Sequence, residues 1–439
     1  ANTTPYSIGS SRCLCNTKFQ EDPSGKVCVP IPVPEPRNQC SAGARTPNPI
    51  LPASAEKFRS ETDFVDKGPN ALAFTRTYRS GWINVGVSNA GLGQAWSHNH
   101  DIRLMALPAS APVAATIVRG DGSTRTFSKL VGTSTWSTTE STDTLTRDSQ
   151  GNWTYRRFDD DSVLSFTSDG KLQTQARRNG WSWAYTYDGV GRLATIGNGF
   201  GRTLALNYNS AGQLVGVLTP DLRSIGFAYD SMGRLAVVTY PDAKSRTFVY
   251  ENVSFSQALT GILDETGARF ATFAYDPQGR AIDSALAGSV DRYGVSYPSA
   301  GNAHITDPLG TSRSYSYSTI KGKLAVTGGS LPSGTGEADA ASRIQDANGL
   351  ITSETDFKGV VTTTTWDVAR RLPTTVVRAS ATPEAQMVTT QWHPTFSLPA
   401  LVTQTGRTTA YTYDALGNVL TRTITDTVTN QAQLWQWTY

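Results

Sequence analysis

Residues 185–193 read Tyr-Thr-Tyr-Asp-Gly-Val-Gly-Arg-Leu, a stretch that decides the fold because it returns along the chain at a fixed spacing. Residues 206–214 (LNYNSAGQL) and 227–235 (FAYDSMGRL) repeat it, so that Tyr187, Tyr208 and Tyr229 lie 21 residues apart. A period of roughly 20 to 50 residues indicates stacked copies of one supersecondary unit. The sequence therefore predicts a repeat protein.

Each copy of the pattern predicts a β-hairpin. Aromatic residues at positions i and i+2 point to the same face of a strand, so Tyr185 and Tyr187 form a stripe that faces a core. Asp188 can accept a hydrogen bond from the backbone two residues on, and Gly191 suits a positive φ, so the strand turns here. About 21 residues is enough for two strands and two turns, and each period therefore adds a hairpin to an antiparallel sheet.

Further copies extend the pattern towards the end of the chain. They occupy residues 250–252, 273–280 and 411–420, with weaker forms at 166–172, 315–317, 365–372 and 391–398. The aromatic residues predicted to form the core stripe are Tyr185, Tyr187, Tyr208, Phe227, Tyr229, Phe273, Tyr275, Tyr411 and Tyr413. The predicted turn residues are Asp188, Gly191, Gly212, Asp230, Gly233, Asp276, Gly279, Asp414 and Gly417. We assign both sets a structural role and expect the arginines after the turns to be solvated or salt-bridged.

Composition favours the same fold. Of 439 residues only 38% are hydrophobic, while 39 are Gly and 22 are Pro, which interrupt helices. The predicted fold class is all-β, with antiparallel hairpin repeats that wind into a curved sheet or shell. The net charge of +3, from 39 basic and 36 acidic residues without basic clusters, argues against a nucleic-acid partner. No stretch approaches the roughly 20 apolar residues of a membrane span.

All four cysteines, Cys13, Cys15, Cys28 and Cys40, lie in a Pro-rich amino-terminal segment with few large apolar residues. Two disulfides would constrain such a segment, and four cysteines allow three pairings. A four-thiolate zinc site is the competing interpretation, but the Cys-x-Cys start lacks the usual spacer. We expect disulfides of unknown pairing. Because the chain starts at Ala1, as after removal of a signal peptide, we also expect a secreted or cell-surface bacterial protein.

The repeated Tyr-x-Tyr-Asp-x-x-Gly-Arg-Leu pattern resembles the RHS/YD repeats of bacterial polymorphic toxins, insecticidal toxin complexes and teneurins. Residues 61–64 (ETDF), 72–80 (LAFTRTYRS) and 92–100 (LGQAWSHNH) are similar to the domain that precedes the repeats in many RHS proteins. We therefore divide the chain into a Cys-containing, Pro-rich segment (1–50), an all-β domain (51–149) and RHS/YD repeats (150–439) that are incomplete at the carboxyl end.

The resemblance implies a hollow β-shell that encloses a carboxy-terminal toxin, which self-cleavage at a core motif containing Asp-Pro-x-Gly often releases. Residues 276–279 (DPQG) and 307–310 (DPLG) match that motif superficially but sit at ordinary repeat positions, so we interpret them as turns. Residues 435–439 look like the strand that opens another repeat. We therefore expect cargo or further repeats beyond residue 439.

Candidate chemistry is sparse. His98 and His100 would share one strand face, but no third ligand is apparent, and residues 159–161 (DDD) lack the spaced ligands of a calcium loop. No nucleophile elbow, phosphate loop or dinucleotide fingerprint occurs. The sequence predicts no enzyme, no catalytic residue, no cofactor and no metal.

Three functions are compatible with these observations. The first is a non-catalytic shell segment that encapsulates or presents a carboxy-terminal toxin or effector. The second is an extracellular adhesion or filament-forming protein, with a self-assembly or cell-surface partner. The third is a carbohydrate-binding module, which rests only on exposed aromatic residues.

Overall fold

A computed structural model describes residues 19–21, 28–30, 46–81, 90–130, 132–139, 141–332 and 340–439. Within these residues the backbone forms 37 β-strands and short 3-10 turns such as Ala287–Ser289, with no α-helix. The prediction of an all-β chain of antiparallel hairpin repeats is confirmed. None of the described residues forms a helix with the length and apolar character needed to cross a membrane.

Three small sheets precede the repeats. The first pairs β1 with β2, and each of the next two contains four antiparallel strands. Their strands are β1 (Phe19–Glu21) and β2 (Cys28–Pro30), then β3 (Ile50–Leu51), β4 (Glu56–Val65), β5 (Ala73–Arg79) and β6 (Trp96–His98), then β7 (Arg103–Leu107), β8 (Ala114–Val118), β9 (Thr124–Lys129) and β10 (Trp136–Ser137). The cysteine side chains lie outside the part of the chain that can be described, and with them the predicted disulfides.

All remaining strands form one antiparallel sheet of 27, which is not closed. Its order follows the sequence from β11 to β37, so every hairpin pairs with the next. The first seventeen strands are β11 (Thr144–Arg147), β12 (Trp153–Arg156), β13 (Val163–Phe166), β14 (Leu172–Ala176), β15 (Ser182–Tyr187), β16 (Leu193–Asn198), β17 (Thr203–Tyr208), β18 (Leu214–Leu218), β19 (Ser224–Tyr229), β20 (Leu235–Thr239), β21 (Ser245–Val249), β22 (Gly261–Leu263), β23 (Arg269–Tyr275), β24 (Ala281–Leu286), β25 (Tyr293–Ser299), β26 (Asn302–Thr306) and β27 (Ser312–Ile320). The last ten are β28 (Lys323–Gly329), β29 (Ser342–Gln345), β30 (Ile351–Thr355), β31 (Val361–Asp367), β32 (Leu372–Arg378), β33 (Gln386–Trp392), β34 (Pro399–Gln404), β35 (Arg407–Tyr413), β36 (Val419–Asp426) and β37 (Ala432–Gln436).

The repeat carries an irregularity in pairing at the second aromatic position of its hairpin. The register shifts at Tyr187, Tyr208, Tyr229, Tyr275 and Tyr413. An extra residue on one strand increases local twist and bends the strand. Because the same shift recurs in successive hairpins, the sheet is expected to bend in one sense along its length.

The main core lies between the amino-terminal strands and the repeats. One apolar cluster includes Phe74 and Trp96 from β5 and β6 together with Phe227 and Phe248 from the repeats. A second, smaller cluster joins Ile50 of β3 to later repeats. The sheet formed by β3–β6 therefore covers the aromatic face of the repeat sheet. We call residues 46–81 and 90–98, which carry these strands, the covering module.

Candidate functional site

The repeat turn is held by its aspartate. Asp188 Oδ1 accepts hydrogen bonds from the backbone N–H groups of Val190 (3.1 Å) and Arg192 (2.8 Å), and Gly191 donates to the Asp188 carbonyl at 2.9 Å. Positive φ angles occur at Gly191 (86°), Gly212 (79°), Gly233 (73°), Gly279 (77°) and Gly417 (75°). The same backbone contacts recur at Asp230, Asp276, Asp307 and Asp414. The two Asp-Pro-x-Gly sequences are thus repeat turns.

The arginine after the turn links one repeat to the next. Arg192 Nε donates to Asp188 Oδ2 of its own turn at 2.7 Å, while its guanidinium lies 4.8 Å from the ring centre of Tyr208 in the following repeat. Arg234 lies likewise above Tyr250 at 4.8 Å. The backbone and arginine contacts favour the ionised carboxylate, so the pKa of Asp188 lies below its usual value. The turn thus orients a cation over an aromatic face.

A second link runs between repeats through the second aromatic residue. Its hydroxyl donates to a backbone carbonyl in the preceding repeat, at 2.6 to 2.9 Å, in the pairs Tyr187 to Leu172, Tyr229 to Leu214, Tyr250 to Leu235, Tyr275 to Leu259, Tyr297 to Ala281 and Tyr413 to Pro399. Where tryptophan replaces tyrosine, the indole N–H takes over: Trp366 donates to Ile351 and Trp392 to Pro373, both at 2.8 Å. At these eight positions an aromatic ring that ends in a donor therefore links its repeat to the preceding one.

The predicted stripe residues occupy two environments. Tyr185, Phe227 and Phe273 are buried in the main cluster, and their partners Tyr187, Tyr208, Tyr229 and Tyr275 are half-buried against it. Tyr411 and Tyr413 do not join them. They stack on each other, with ring centres 6.3 Å apart, in the late part of the sheet.

The covering module packs its own aromatic residues against that stripe. Ring centres lie 4.8 Å apart for Trp96 and Phe248 and 6.1 Å apart for Phe74 and Phe227. The Tyr78 hydroxyl donates to the Gln257 carbonyl (3.2 Å) and accepts from the Leu259 N–H (2.8 Å). The buried rings of Phe74, Tyr78 and Trp96 thus each have a defined partner on the repeats.

A buried ion pair lies in the same interface. Arg76 and Asp63 are both fully buried and make two hydrogen bonds, at 2.6 and 2.9 Å. The guanidinium of Arg76 also lies 5.0 Å from the ring of Trp96 and 5.3 Å from that of Phe248. A two-point guanidinium–carboxylate contact imposes a defined geometry on its surroundings.

Polar contacts border the interface. Arg202 of a repeat turn is hydrogen-bonded to Asp66, and Arg246 lies 2.9 Å from Glu61. Asn70 donates to the Ser182 carbonyl at 2.8 Å. The apolar centre with a charged rim is typical of a stable protein interface.

The two histidines singled out in the sequence are packed inside this interface. His98 contacts the Phe74 ring with centres 5.0 Å apart, and His100 contacts the carbonyl of Ala73 at 2.8 Å and the hydroxyl of Tyr185 at 3.3 Å. Burial lowers the pKa of each histidine to about 3, so both rings are neutral. No group of three or more metal-binding side chains occurs among the described residues.

Two distant turns meet to form a contact that we call the clasp, residues 156–161 and 393–397. Asp161, 2% exposed, lies 2.7 Å from Arg156 and 3.4 Å from Arg178, and it accepts from the N–H of Ser397 at 3.3 Å. The Ser397 hydroxyl donates to the Phe158 carbonyl at 2.7 Å. The first turn joins β12 to β13 and the second joins β33 to β34, so the sheet curls back to its beginning.

A cavity of about 530 Å³ lies beside the clasp. Its walls include Trp366, Trp392, Arg119, Arg125 and Arg371. One guanidinium nitrogen of Arg371 is buried without a hydrogen-bond partner. Indole faces and guanidinium donors suit a ligand with a flat body and an acceptor group.

The sequence reasoning missed three features: the covering module on the aromatic stripe, the clasp, and the links between repeats. Only the links between repeats left a signal in the sequence. A tyrosine or tryptophan precedes the turn in several copies, at Tyr187, Tyr208, Tyr229, Trp366 and Trp392, where a purely apolar core position would accept phenylalanine.

Comparison with known families gives two adjacent matches. Residues 127–297 match the family described as Teneurin YD-shell, and residues 47–127 match a domain of unknown function, DUF6531. The second segment contains most of the covering module. No curated protein sequence matches the chain.

The solved structures to which this chain is similar include toxin complexes. The TcdB2-TccC3-Cdc42 crystal structure has a TM-score of 0.41 and 12% identity over 83% of this chain and 24% of that chain. The Photorhabdus luminescens Tc holotoxin pore has a TM-score of 0.40 and 9% identity over 86% and 25%. TcdB2-TccC3 without its hypervariable carboxy-terminal region has a TM-score of 0.41 and 10% identity over 86% and 27%. The chain spans about a quarter of the length of these toxin chains.

Proposed function

Because this chain is built from RHS/YD repeats, we propose that it is a non-catalytic segment of a secreted bacterial shell that encloses or presents a carboxy-terminal toxin or effector. The observation that carries the proposal is the single 27-stranded sheet, which returns on itself at the clasp. A sheet that curls round brings one face to the inside. That face would line a compartment in the complete protein.

The covering module would close one part of that compartment. It places buried rings and a buried ion pair against β15–β24, so this part of the sheet is filled by the chain itself. The later strands are less buried, and the last buried apolar side chain of the sheet is Leu372. We assign cargo or further repeats to this later, uncovered part. The parts that we propose as functional units are residues 1–50, 51–149 and 150–439.

A protease-protection experiment tests enclosure. A protease-sensitive reporter peptide is fused after Tyr439, and a matched control carries the same peptide in the turn at Val253, which is 97% exposed. If the curled sheet shelters a peptide attached at its carboxyl end, the first reporter is cut at least about tenfold more slowly, since cleavage requires a locally open, accessible segment. Equal cleavage rates would contradict enclosure.

Self-assembly is the competing structural role. The outer edge of β37 has no strand partner among the described residues, and Leu434 on it is exposed. An unprotected edge strand can pair with another chain. Light scattering across a range of concentrations separates the two roles: a shell segment keeps a constant mass, whereas a filament former grows as concentration rises.

Carbohydrate binding is favoured by one observation, the cavity with Trp366, Trp392 and Arg371 in its walls. Sugars pack on indole faces while their hydroxyl or carboxylate groups accept from guanidinium donors. A glycan array with the wild type and Trp392→Ala tests this role. Binding lost in the variant supports it, and an array without signal for the wild type contradicts it.

A further inference from the structure

Lys57 is a buried amine with unusual partners. Its side chain is fully buried, and Nζ lies within hydrogen-bond distance of three oxygens, the carbonyls of Asn48 (3.1 Å) and Pro49 (3.0 Å) and Asn48 Oδ1 (3.1 Å), with the Phe273 ring centre at 4.0 Å. No carboxylate pairs with it among the described residues. Lysines are almost never fully buried unless they are paired.

Those surroundings favour the neutral amine. Burial, followed by the nearby charge of Arg59, lowers the pKa of Lys57 well below its ordinary value. Desolvation and a neighbouring cation are the two ways in which proteins convert lysine into a nucleophile. Lys57 has both.

The side chain of Asn48 has the properties of the matching electrophile. Its Oδ1 is contacted by Lys57 Nζ and, at 3.5 Å, by Arg59 Nη1, which is a donor suited to negative charge that develops on this oxygen. Its amide nitrogen, Nδ2, is buried without a hydrogen-bond partner. A buried polar group of this kind calls for an explanation.

We propose that Lys57 and Asn48 join in an intramolecular isopeptide bond. The lone pair on Nζ attacks Cγ of Asn48, and Arg59 stabilises the oxygen of the tetrahedral intermediate. A proton passes from Nζ to Nδ2, the Cγ–Nδ2 bond breaks, and ammonia leaves. No oxidant, cofactor or second substrate is required. The expelled nitrogen is the one that the fold leaves without a partner.

The bond would strengthen the attachment of the covering module to the repeats. Asn48 accepts a hydrogen bond from Ser284 of β24 at 3.0 Å, and Ala55 accepts one from Ala281 at 2.9 Å. Ile50, between the two bonded residues, packs in the second apolar cluster with later repeats. A covalent link from β4 to this segment would hold these contacts together, because it limits the freedom of the unfolded chain.

Loss of ammonia at this site has few other sources. Asparagine commonly loses ammonia when the next backbone nitrogen attacks its side chain. Asn48 is followed by Pro49, which has no N–H. Ammonia loss that maps to this segment, together with resistance of the bond after Lys57 to trypsin, therefore identifies the isopeptide bond.

The test is mass spectrometry of the folded full chain after reduction of its cysteines. The wild type is expected to weigh about 17 Da less than its sequence, since one ammonia is lost for each amide formed by the lysine. Trypsin is expected to cut after Lys67, which is exposed, and to leave the bond after Lys57 intact. Lys67→Met is the matched control and keeps the loss, whereas Lys57→Met abolishes it.

Measurements on the wild type alone can overturn the proposal. The test therefore does not depend on whether Lys57→Met folds. The proposal would be overturned if, after prolonged incubation, the wild-type mass still equals the mass calculated from the amino-acid sequence. Complete tryptic cleavage after Lys57 would also overturn it, even if ammonia is lost elsewhere in the chain. The proposed shell function would be unaffected by either result, because it rests on the sheet and the clasp.

Discussion

At the scale of single residues, the structure shows one aromatic position with two functions. The ring of the second aromatic residue packs on the core, and its donor group binds a carbonyl of the preceding repeat. Tyrosine and tryptophan both satisfy this requirement, which explains why Trp366 and Trp392 substitute for tyrosine without loss of the contact.

Removing one such hydroxyl has a measurable cost. Tyr229 donates to Leu214 (2.6 Å), and the hydroxyl also contacts the carbonyl of Gly91 (2.8 Å), so it joins two repeats to the covering module. We expect Tyr229→Phe to lower the free energy of unfolding by about 1 to 2 kcal/mol, because a buried carbonyl loses its donor. Urea unfolding measures this change.

Tyr411→Phe is the matched control for that experiment. The Tyr411 hydroxyl has no hydrogen-bond partner among the described residues, so its removal is expected to change stability by less than about 0.5 kcal/mol. Equal effects of the two substitutions would contradict the role assigned to the tyrosine hydroxyl.

The buried histidines predict an acid-sensitive core. The pKa of His98 and of His100 is lowered to about 3 by burial, whereas the unfolded value is near 6.5. Between these values the unfolded chain binds more protons, so stability is fully present above about pH 6.5 and falls as pH decreases towards 3. The slope of the free energy of unfolding against pH is up to about 1.4 kcal/mol per pH unit for each histidine.

His98→Gln is expected to reduce that slope between pH 6.5 and 5, where the aspartates of the turns remain ionised. His304→Gln, at an exposed position, is the matched control. The measurement is urea unfolding as a function of pH. A wild-type free energy of unfolding that does not decrease over this range would show that the histidines are not buried as neutral rings.

Much at this scale could be predicted from the sequence, and some could not. Asp188 and Gly191 act within five residues of each other, so local turn chemistry is sufficient to predict them. The contact of Arg192 with Tyr208 depends on how neighbouring hairpins stack, which a single repeat does not reveal. The buried pair of Arg76 and Asp63 had no signal in the sequence, because each residue type is ordinarily exposed.

At the scale of elements, the turn of the β19–β20 hairpin places a glycine in left-handed backbone geometry. Gly233 has a φ of 73°, and a Cβ there would lie 3.6 Å from Gln213, so space is sufficient and conformation is the only obstacle. We expect Gly233→Ala to destabilise the protein by about 1 kcal/mol, the cost of this conformation for a residue with a Cβ. Thermal or urea unfolding of the wild type and the variant would measure this loss of stability.

Gly226 in β19 provides the control within the same hairpin. A Cβ there would lie 3.8 Å from Thr239, an ordinary contact, and its φ is not positive. Gly226→Ala is therefore expected to be neutral or stabilising, since alanine restricts the unfolded chain more than glycine does. A larger loss at Gly226 than at Gly233 would contradict this account of the turn.

The hairpins were predictable because their contacts are local, whereas the packing of whole elements was not. Phe74 and Phe227 meet although they are separated by much of the chain, and their contact depends on the curvature of the sheet. Repeated register shifts are expected to contribute to that curvature, and the pattern of aromatic and turn residues does not display them. The aromatic stripe indicated a core, but it did not indicate that β3–β6 would cover it.

At the scale of the whole molecule, the clasp determines whether the sheet stays curled. Hydrogen bonds between consecutive strands run along the sheet and are compatible with several curvatures. The contacts among Asp161, Arg178, Phe158, Ser397 and Phe396 are different, because they join the beginning of the sheet to its late part. Their loss should therefore open the sheet without unfolding its hairpins.

Asp161→Asn tests this expectation. The substitution removes the charge that pairs with Arg156 and Arg178 and leaves their guanidinium groups without a counter-ion beside Ser397. Because both arginines are partly exposed, the expected loss is smaller than the about 3 to 5 kcal/mol that breaking a fully buried pair costs. Hydrogen exchange is expected to accelerate at residues 157–161 and 393–397 and to stay unchanged in β15–β24, while scattering shows a more extended particle.

Asp159→Asn serves as the control and should alter neither measurement, because Asp159 is an exposed residue of the same turn that pairs with Arg157. If exchange instead rises throughout the repeats, the clasp supports the fold as a whole, and curvature is set by the bulged hairpins alone.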